Sequence, residues 1–257
     1  MPLNRSRRLT FIAVPILILA LVTGLYFSRK AQTNPVTGQQ QHISLTTEQE
    51  IAWGIESAPQ LAVRFGGICR DEAANKKLKM IGRKLVASSD IAKSPYQFDF
   101  HLLADSISVE TFAFPGGQIF VTAGLFKKLK TDEKIAVILS HQIGHVIGRH
   151  ASARLFKVSI FEEIKKPDTI LVADFPPRLI MEYLSEFISL EYNTAEENEA
   201  DKLGLNSFVR AGFHSNSFLP DFPELKSNIE KSKMFPQKHR NFLNRKEKLT
   251  FLQKEDS

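Results

Sequence analysis

The chain holds one cysteine, Cys69, and one tryptophan in 257 residues. A lone thiol excludes an intrachain disulfide, and it excludes a zinc site built on Cys pairs, so any metal must be held by His and carboxylate. No internal repeat is visible, and no RNA- or DNA-binding motif accompanies the basic charge. The imbalance needed for wholesale disorder is also missing. Apolar residues make up 43% and charged residues 24%, which are ordinary values for a globular protein. Twenty phenylalanines supply a well-filled core, and the length suits one domain plus a tether.

The net charge of +6 is unevenly placed. Arg5, Arg7 and Arg8 precede an apolar run, and the final 32 residues from Lys226 carry nine Lys/Arg against four Asp/Glu. The body between is close to neutral. A solvated basic tail explains the excess; nucleic acid is not expected as a partner, because basic charge alone gives only non-specific attraction.

Leu9 to Phe27 is free of charged residues. About twenty apolar residues span a bilayer as a helix, and Pro15 is tolerated there. The cations on its near side keep the N-terminus cytoplasmic. A cleaved signal peptide is the alternative, but no small-x-small site follows the run. Residues 1–30 are therefore read as a membrane anchor, with the membrane contact through residues 9–27, and 31–44 as a polar linker. The domain is expected over 45–225, with 226–257 a basic segment packing partly on it.

Within the domain, Thr46 or Thr47 can cap a helix through Ile55. Asp71 to Ser88 carries Leu78, Ile81 and Leu85 at helical spacing. Gln97 to Leu103 alternates polar and apolar, as a half-buried strand does. Phe112–Phe114, the turn Pro115-Gly116-Gly117, and Gln118–Thr122 read as a strand pair. Helical patterns return over 131–161 and 179–210, the latter with a break near Asn193-Thr194. The order of elements implies an α+β class, mostly helical with a small β-sheet and preceded by one transmembrane helix.

The helix opened by Thr131 leads to His141-Gln142-Ile143-Gly144-His145. Histidines four apart share one helical face and can grip one zinc ion. They can equally share a face without a metal. A third ligand must come from elsewhere, and Glu196, Glu197 and Glu199 all offer carboxylates. Glu197 and Asp201 are again four apart, so one could bind a metal while the other orients a ligand histidine. Chemistry alone leaves the choice open, and an acidic, solvated helix start is the plain alternative.

The ordered set of motifs resembles the HtpX- and BepA-like zinc metallopeptidases, a family of HExxH gluzincins that includes CAAX prenyl proteases and membrane stress peptidases. The matching residues are Phe112-Ala113-Phe114-Pro115-Gly116-Gly117, His141 and His145 followed by Arg149-His150, Glu197-Asn198-Glu199-Ala200-Asp201, and His239 with Arg245. The resemblance implies one Zn2+ per chain held by His141, His145 and Glu197, with Asp201 orienting a ligand. It implies a late histidine near the metal at His239. It also implies a substrate edge along Phe112, Ala113, Pro115, Gly116 and Gly117 that accepts a protein or peptide by β-addition.

The departures are equally specific. Gln142 stands where the family places its catalytic glutamate, and an amide cannot relay the protons of water attack and amine departure. Glu110-Thr111 replaces the usual Asn-Ala, the Ser-Arg before the third-ligand motif is missing, and Arg240 replaces a Pro. Departures scattered over several motifs fit natural divergence better than one engineered change. Two functions remain: a membrane-anchored zinc metalloendopeptidase with hydrolysis impaired at Gln142, or a pseudopeptidase that binds zinc and holds a polypeptide as chaperone or adaptor. The expected location is a bacterial inner membrane with the domain in the periplasm; a mitochondrial inner membrane is the alternative.

Overall fold

The structure, a computed structural model, describes residues 16–21, 24, 31–41, 43, 45–154 and 192–213. The expectations for His239, the basic segment 226–257 and most of the apolar run 9–27 lie outside the described residues. Residues 16–21 are helical, and no helix among the described residues is long and apolar enough to cross a membrane.

The stretch read as a linker carries a short hairpin, with strands β1 (Gln32–Thr33) and β2 (Gln40–Gln41) paired antiparallel. Polar side chains there serve the fold rather than solvent. Asn34 is 1% exposed, accepts from the Val36 and Thr37 amides, and donates to the Ile147 carbonyl at 2.7 Å. Composition suggests a tether, but specific amide hydrogen bonds dock it.

Helix α1 (Thr47–Arg64) starts with a capping box in which Thr46 and Gln49 satisfy each other's backbone amides. Helix α2 (Glu72–Ala87) is capped by Asp71 and buries Leu78, Ile81 and Leu85, as the spacing predicts. Strand β3 (Asp99–Leu103), β4 (Thr111–Ala113) and β5 (Gln118–Thr122) form a three-stranded sheet of order β3-β5-β4. β3 runs parallel to β5, with Phe100 opposite Ile119, and β4 runs antiparallel to β5, with Phe112 opposite Phe120. The period-two rule then sorts the side chains. Ile119 and Val121 join a core with Phe100, Leu102, Leu78 and Leu139. Phe120 points to the other face, where it packs with Phe112, Phe114, Trp53 and Leu61.

Helix α3 (Ala123–Lys128) follows β5 directly, and α4 (Asp132–Ile147) begins after the Thr131 cap. Every residue of α4 from Ile135 to Ile147 is buried. A helix with apolar residues all round belongs in a protein's interior, and α4 lies between α2, the sheet and helix α5 (Thr194–Arg210). Asn193 caps α5 by a second capping box with Glu196; the parts of the expected helical patterns over 155–161 and 179–191 lie outside the described residues.

A candidate metal centre between two helices

Helices α4 and α5 approach closely because each offers a glycine to the other's backbone. A β-carbon on Gly144 would fall 2.7 Å from the Ala200 carbonyl carbon, and one on Gly204 would fall 2.7 Å from the Ser140 carbonyl carbon. Larger residues would hold the axes apart. The contact brings the shared face of His141 and His145 against the shared face of Glu197 and Asp201.

All four side chains are buried: His145 and Glu197 are 0% exposed, His141 2% and Asp201 3%. Glu197 Oε2 lies 3.8 Å from His141 Nε2, and its Oε1 lies 3.4 Å from His145 Nε2. The two Nε2 atoms are 3.0 Å apart. His141, His145 and Glu197 each turn one ligand atom to a common point, all within 4.8 Å of one another, and the group could hold a metal ion. Asp201 Oδ1 sits 2.8 Å from His141 Nδ1. A carboxylate there takes the Nδ1–H and leaves the Nε2 lone pair aimed inward.

Two imidazoles and a carboxylate are a donor set suited to zinc. Electrostatics agree. Burial depresses the His145 pKa well below its ordinary value, with His141 and His150 adding to the effect and Glu197 opposing it. A neutral imidazole is the form that ligates.

Gln142 follows His141 in α4 and is 1% exposed. Of the expected substrate edge, Phe112 and Ala113 lie on β4, an outer strand of the sheet, which packs against α4. The turn residues have a different place. Pro115, Gly116 and Gly117 are buried beneath α1, where a β-carbon on Gly116 would fall 2.7 Å from the Ile51 nitrogen. Gly116 also has φ 76, so it serves both the turn and the close helix contact.

Two neighbours of His145, His150 and Tyr192, carry no role in the sequence reading. His150 Nδ1 is 2.9 Å from His145 Nδ1, and His150 Nε2 is 3.3 Å from Glu199 Oε2. Tyr192 stacks on the His145 ring at 3.9 Å between centroids, 24° from parallel. Burial pushes the Tyr192 hydroxyl up to about 12. A spacing of five residues fits no helical face, so His145 and His150 do not announce themselves as partners. The backbone explains it: Gly148 ends α4, Arg149 takes φ 57, and the chain turns back.

Beyond this layer, the Arg149 guanidinium closes a buried network. Its Nε reaches Glu50 Oε1 and Oε2 at 3.0 and 3.1 Å, and its NH2 group donates to the Leu45 carbonyl at 2.8 Å. The residue that turns the chain behind this candidate centre is thereby tied to α1.

The chain is 25% identical over 223 residues to the beta-barrel assembly-enhancing protease of Escherichia coli (strain K12), covering 82% of this chain and 45% of that protein. The Yersinia pestis protein of the same name is 24% identical over 197 residues, 73% of this chain and 40% of that protein. The mitochondrial metalloendopeptidase OMA1 of Arabidopsis thaliana is 29% identical over 112 residues, 44% of this chain and 22% of that protein. The chain thus spans less than half the length of these relatives. The model of Peptidase family M48 matches residues 72–220, more than half of the sequence and the whole of the α4–α5 centre, and the chain belongs to that family of zinc metallopeptidases.

Proposed function

We propose that this protein is a membrane-tethered, zinc-binding member of its family that engages protein substrates, with hydrolysis limited by Gln142. The observation that carries the reading is the convergence of His141, His145 and Glu197 within 4.8 Å between two helices locked by reciprocal glycines. In this reading those three residues hold one Zn2+, and Asp201 fixes the tautomer of His141. When bound, zinc would supply Lewis-acid polarisation of a water and a carbonyl.

The remaining work falls to the chain. A peptidase must take a proton from the attacking water and give one to the leaving amine, a service worth typically ~10²–10⁴-fold. Gln142 occupies the position of the carboxylate that does so in the resembling family. Its amide can donate and accept hydrogen bonds but carries no proton that titrates at useful pH. Substrate would be aligned along β4 by backbone pairing, with Thr111, Phe112 and Ala113 as the edge.

The tether is part of the proposal. Leu9–Phe27 is long enough to span a bilayer. Within it, the helical residues Ile16, Leu17 and Leu19 are 61%, 72% and 66% exposed, an arrangement that suits lipid better than water. The names of the relatives support protein substrates and either a bacterial envelope or a mitochondrial setting; the flanking cations favour the former, with the domain in the periplasm. The domain boundaries at 45 and 225, the basic segment 226–257 and a metal-facing role for His239 belong to the same proposal.

A second reading, a pseudopeptidase that binds zinc and holds its partner uncut, is favoured by Gln142 itself. Turnover of unfolded casein separates the two. The first reading expects slow cleavage by the parent protein and a rise of about 10²–10⁴-fold in Gln142→Glu. Cleavage by the parent at the rate of the glutamate variant would refute the role given to this position. No cleavage by either, with one zinc per chain retained, would favour the holding function.

A further inference from the structure

His145 has two ring nitrogens, and only one can face a metal. Its Nε2 points to Glu197 and His141. Its Nδ1 points the other way, to His150 Nδ1 at 2.9 Å. For Nε2 to keep a free lone pair, the neutral ring must carry its proton on Nδ1, so His145 donates to His150. His150 then presents a lone pair on Nδ1 and carries its own proton on Nε2. That proton has an acceptor, Glu199 Oε2, at 3.3 Å. Proton placement is thus fixed from one end: a carboxylate sets the tautomer of His150, and His150 sets the tautomer of His145.

Packing holds the same ring from two further directions. His145 and His150 meet nearly edge to face, at 5.0 Å and 78°. Tyr192 stacks on His145, and the Arg154 guanidinium sits 3.5 Å from the Tyr192 ring centroid. His150 is itself 3% exposed and rests on Gly148, where a β-carbon would fall 2.6 Å from its Cε1. The left-handed Arg149 brings His150 back against the helix that carries His145. That conformation favours glycine, and the Arg149 guanidinium is held by the buried Glu50 carboxylate.

We infer that His150, anchored by Glu199, is the positioning residue that fixes the tautomer and ring plane of His145, as Asp201 does for His141. The two histidines then have unlike supports: a direct carboxylate for one, a carboxylate acting through a second imidazole for the other. The inference rests on the reading of His145 as a metal ligand and deepens it.

The test is zinc affinity by chelator competition on the full chain, with thermal melting of the metal-free protein and the visible spectrum of the Co2+ form measured in parallel. His150→Phe keeps an aromatic ring but removes both nitrogens. Its zinc Kd is expected to rise by about 10–100-fold and its cobalt spectrum to shift in position, with all nitrogen ligands retained. Glu199→Ala, at a half-exposed site, is expected to weaken zinc in the same direction. Glu199→Gln keeps an acceptor oxygen and is expected to lie between Glu199→Ala and the parent. Gly148→Ala displaces the His150 ring without deleting it and is expected to weaken zinc as well, which keeps the test alive should His150→Phe fail to fold. Zinc affinity within twofold of the parent in both Glu199→Ala and Gly148→Ala would overturn the inference. So would loss of a nitrogen ligand from the cobalt spectrum of His150→Phe, since His150 would then be a ligand. A parent protein that binds no zinc, or a His145→Ala variant that binds it normally, would sink the underlying ligand reading as well; intact ligand results with unaffected support variants would sink this inference alone.

Discussion

Gly144→Ala adds one methyl group at the point where α4 and α5 come closest. The new β-carbon would lie 2.7 Å from the Ala200 carbonyl carbon and 2.8 Å from its Cα, with the carbonyl oxygen nearer still. Carbon atoms rest at ~3.5–4.0 Å, so the helices must separate by roughly 0.7 Å or more. Backbone on both sides leaves no side chain to swing aside. Glu197 lies one turn before Ala200 on the same helix, so it moves away from His141 and His145 with it. Metal–ligand distances tolerate only ~0.2 Å, several-fold less than the displacement. Overpacking of this kind costs about 1–3 kcal/mol, which for a domain of this size lowers Tm by roughly 2–12 °C. Zinc affinity is expected to fall at least about tenfold, or ~1.4 kcal/mol. Chelator competition reads the affinity, and calorimetry of the metal-free protein reads the packing cost. A Gly144→Ala protein that binds zinc within twofold of the parent would refute the claim that the glycine contact sets the metal geometry.

Other perturbations probe the supports. Asp201→Asn keeps the size of the side chain but removes its charge beside His141 Nδ1; zinc affinity should fall by about 10–100-fold, and an unchanged affinity would remove Asp201 from the centre. Arg149→Ala leaves Glu50 buried without its guanidinium and should cost about 3–5 kcal/mol in urea unfolding. Burial already raises the Glu50 pKa while Arg149 opposes the rise, so the variant's carboxyl should titrate higher still. Its stability deficit should be full well above that pKa and shrink as the pH falls through it, because protonation removes the buried charge; a deficit that grows on acidification would contradict this. Asn34→Ala removes the side-chain donor to the Ile147 carbonyl and should cost about 1 kcal/mol, measurable as a lower denaturation midpoint if the hairpin docks as described.

Local rules made much of this fold legible in the sequence. Thr46, one of two candidate caps, and Thr131, which opens a helical pattern, each cap their helix; Asp71 and Asn193 do the same where the sequence reading placed a helix start and a break. Such caps act within four residues, so no tertiary knowledge is needed to see them. The strand alternation over Gln97–Leu103, of which Asp99–Leu103 forms the strand, and the two i, i+4 pairs, His141/His145 and Glu197/Asp201, are equally local. Elsewhere local reading misplaced or missed residues. The substrate edge implied by the resemblance spans two settings that the sequence does not distinguish: Phe112 and Ala113 on β4, and Pro115–Gly117 beneath α1. The polar stretch 31–44 suggested a linker, yet Asn34 is buried against the end of α4.

Residue type and periodicity thus determined by themselves which side chains share a helical face and which chemistry a metal would find there. Only the tertiary structure decided that the two faces meet, because the meeting depends on the close approach at Gly144 and Gly204, residues that carry no chemistry of their own. It also decided which histidine supports His145. The hydrogen bond to His150 crosses a chain reversal at Arg149, and the conformation of that residue is held by Glu50, ninety-nine positions earlier. Periodicity cannot see such a pairing, since the force that sets it acts through space rather than along the chain.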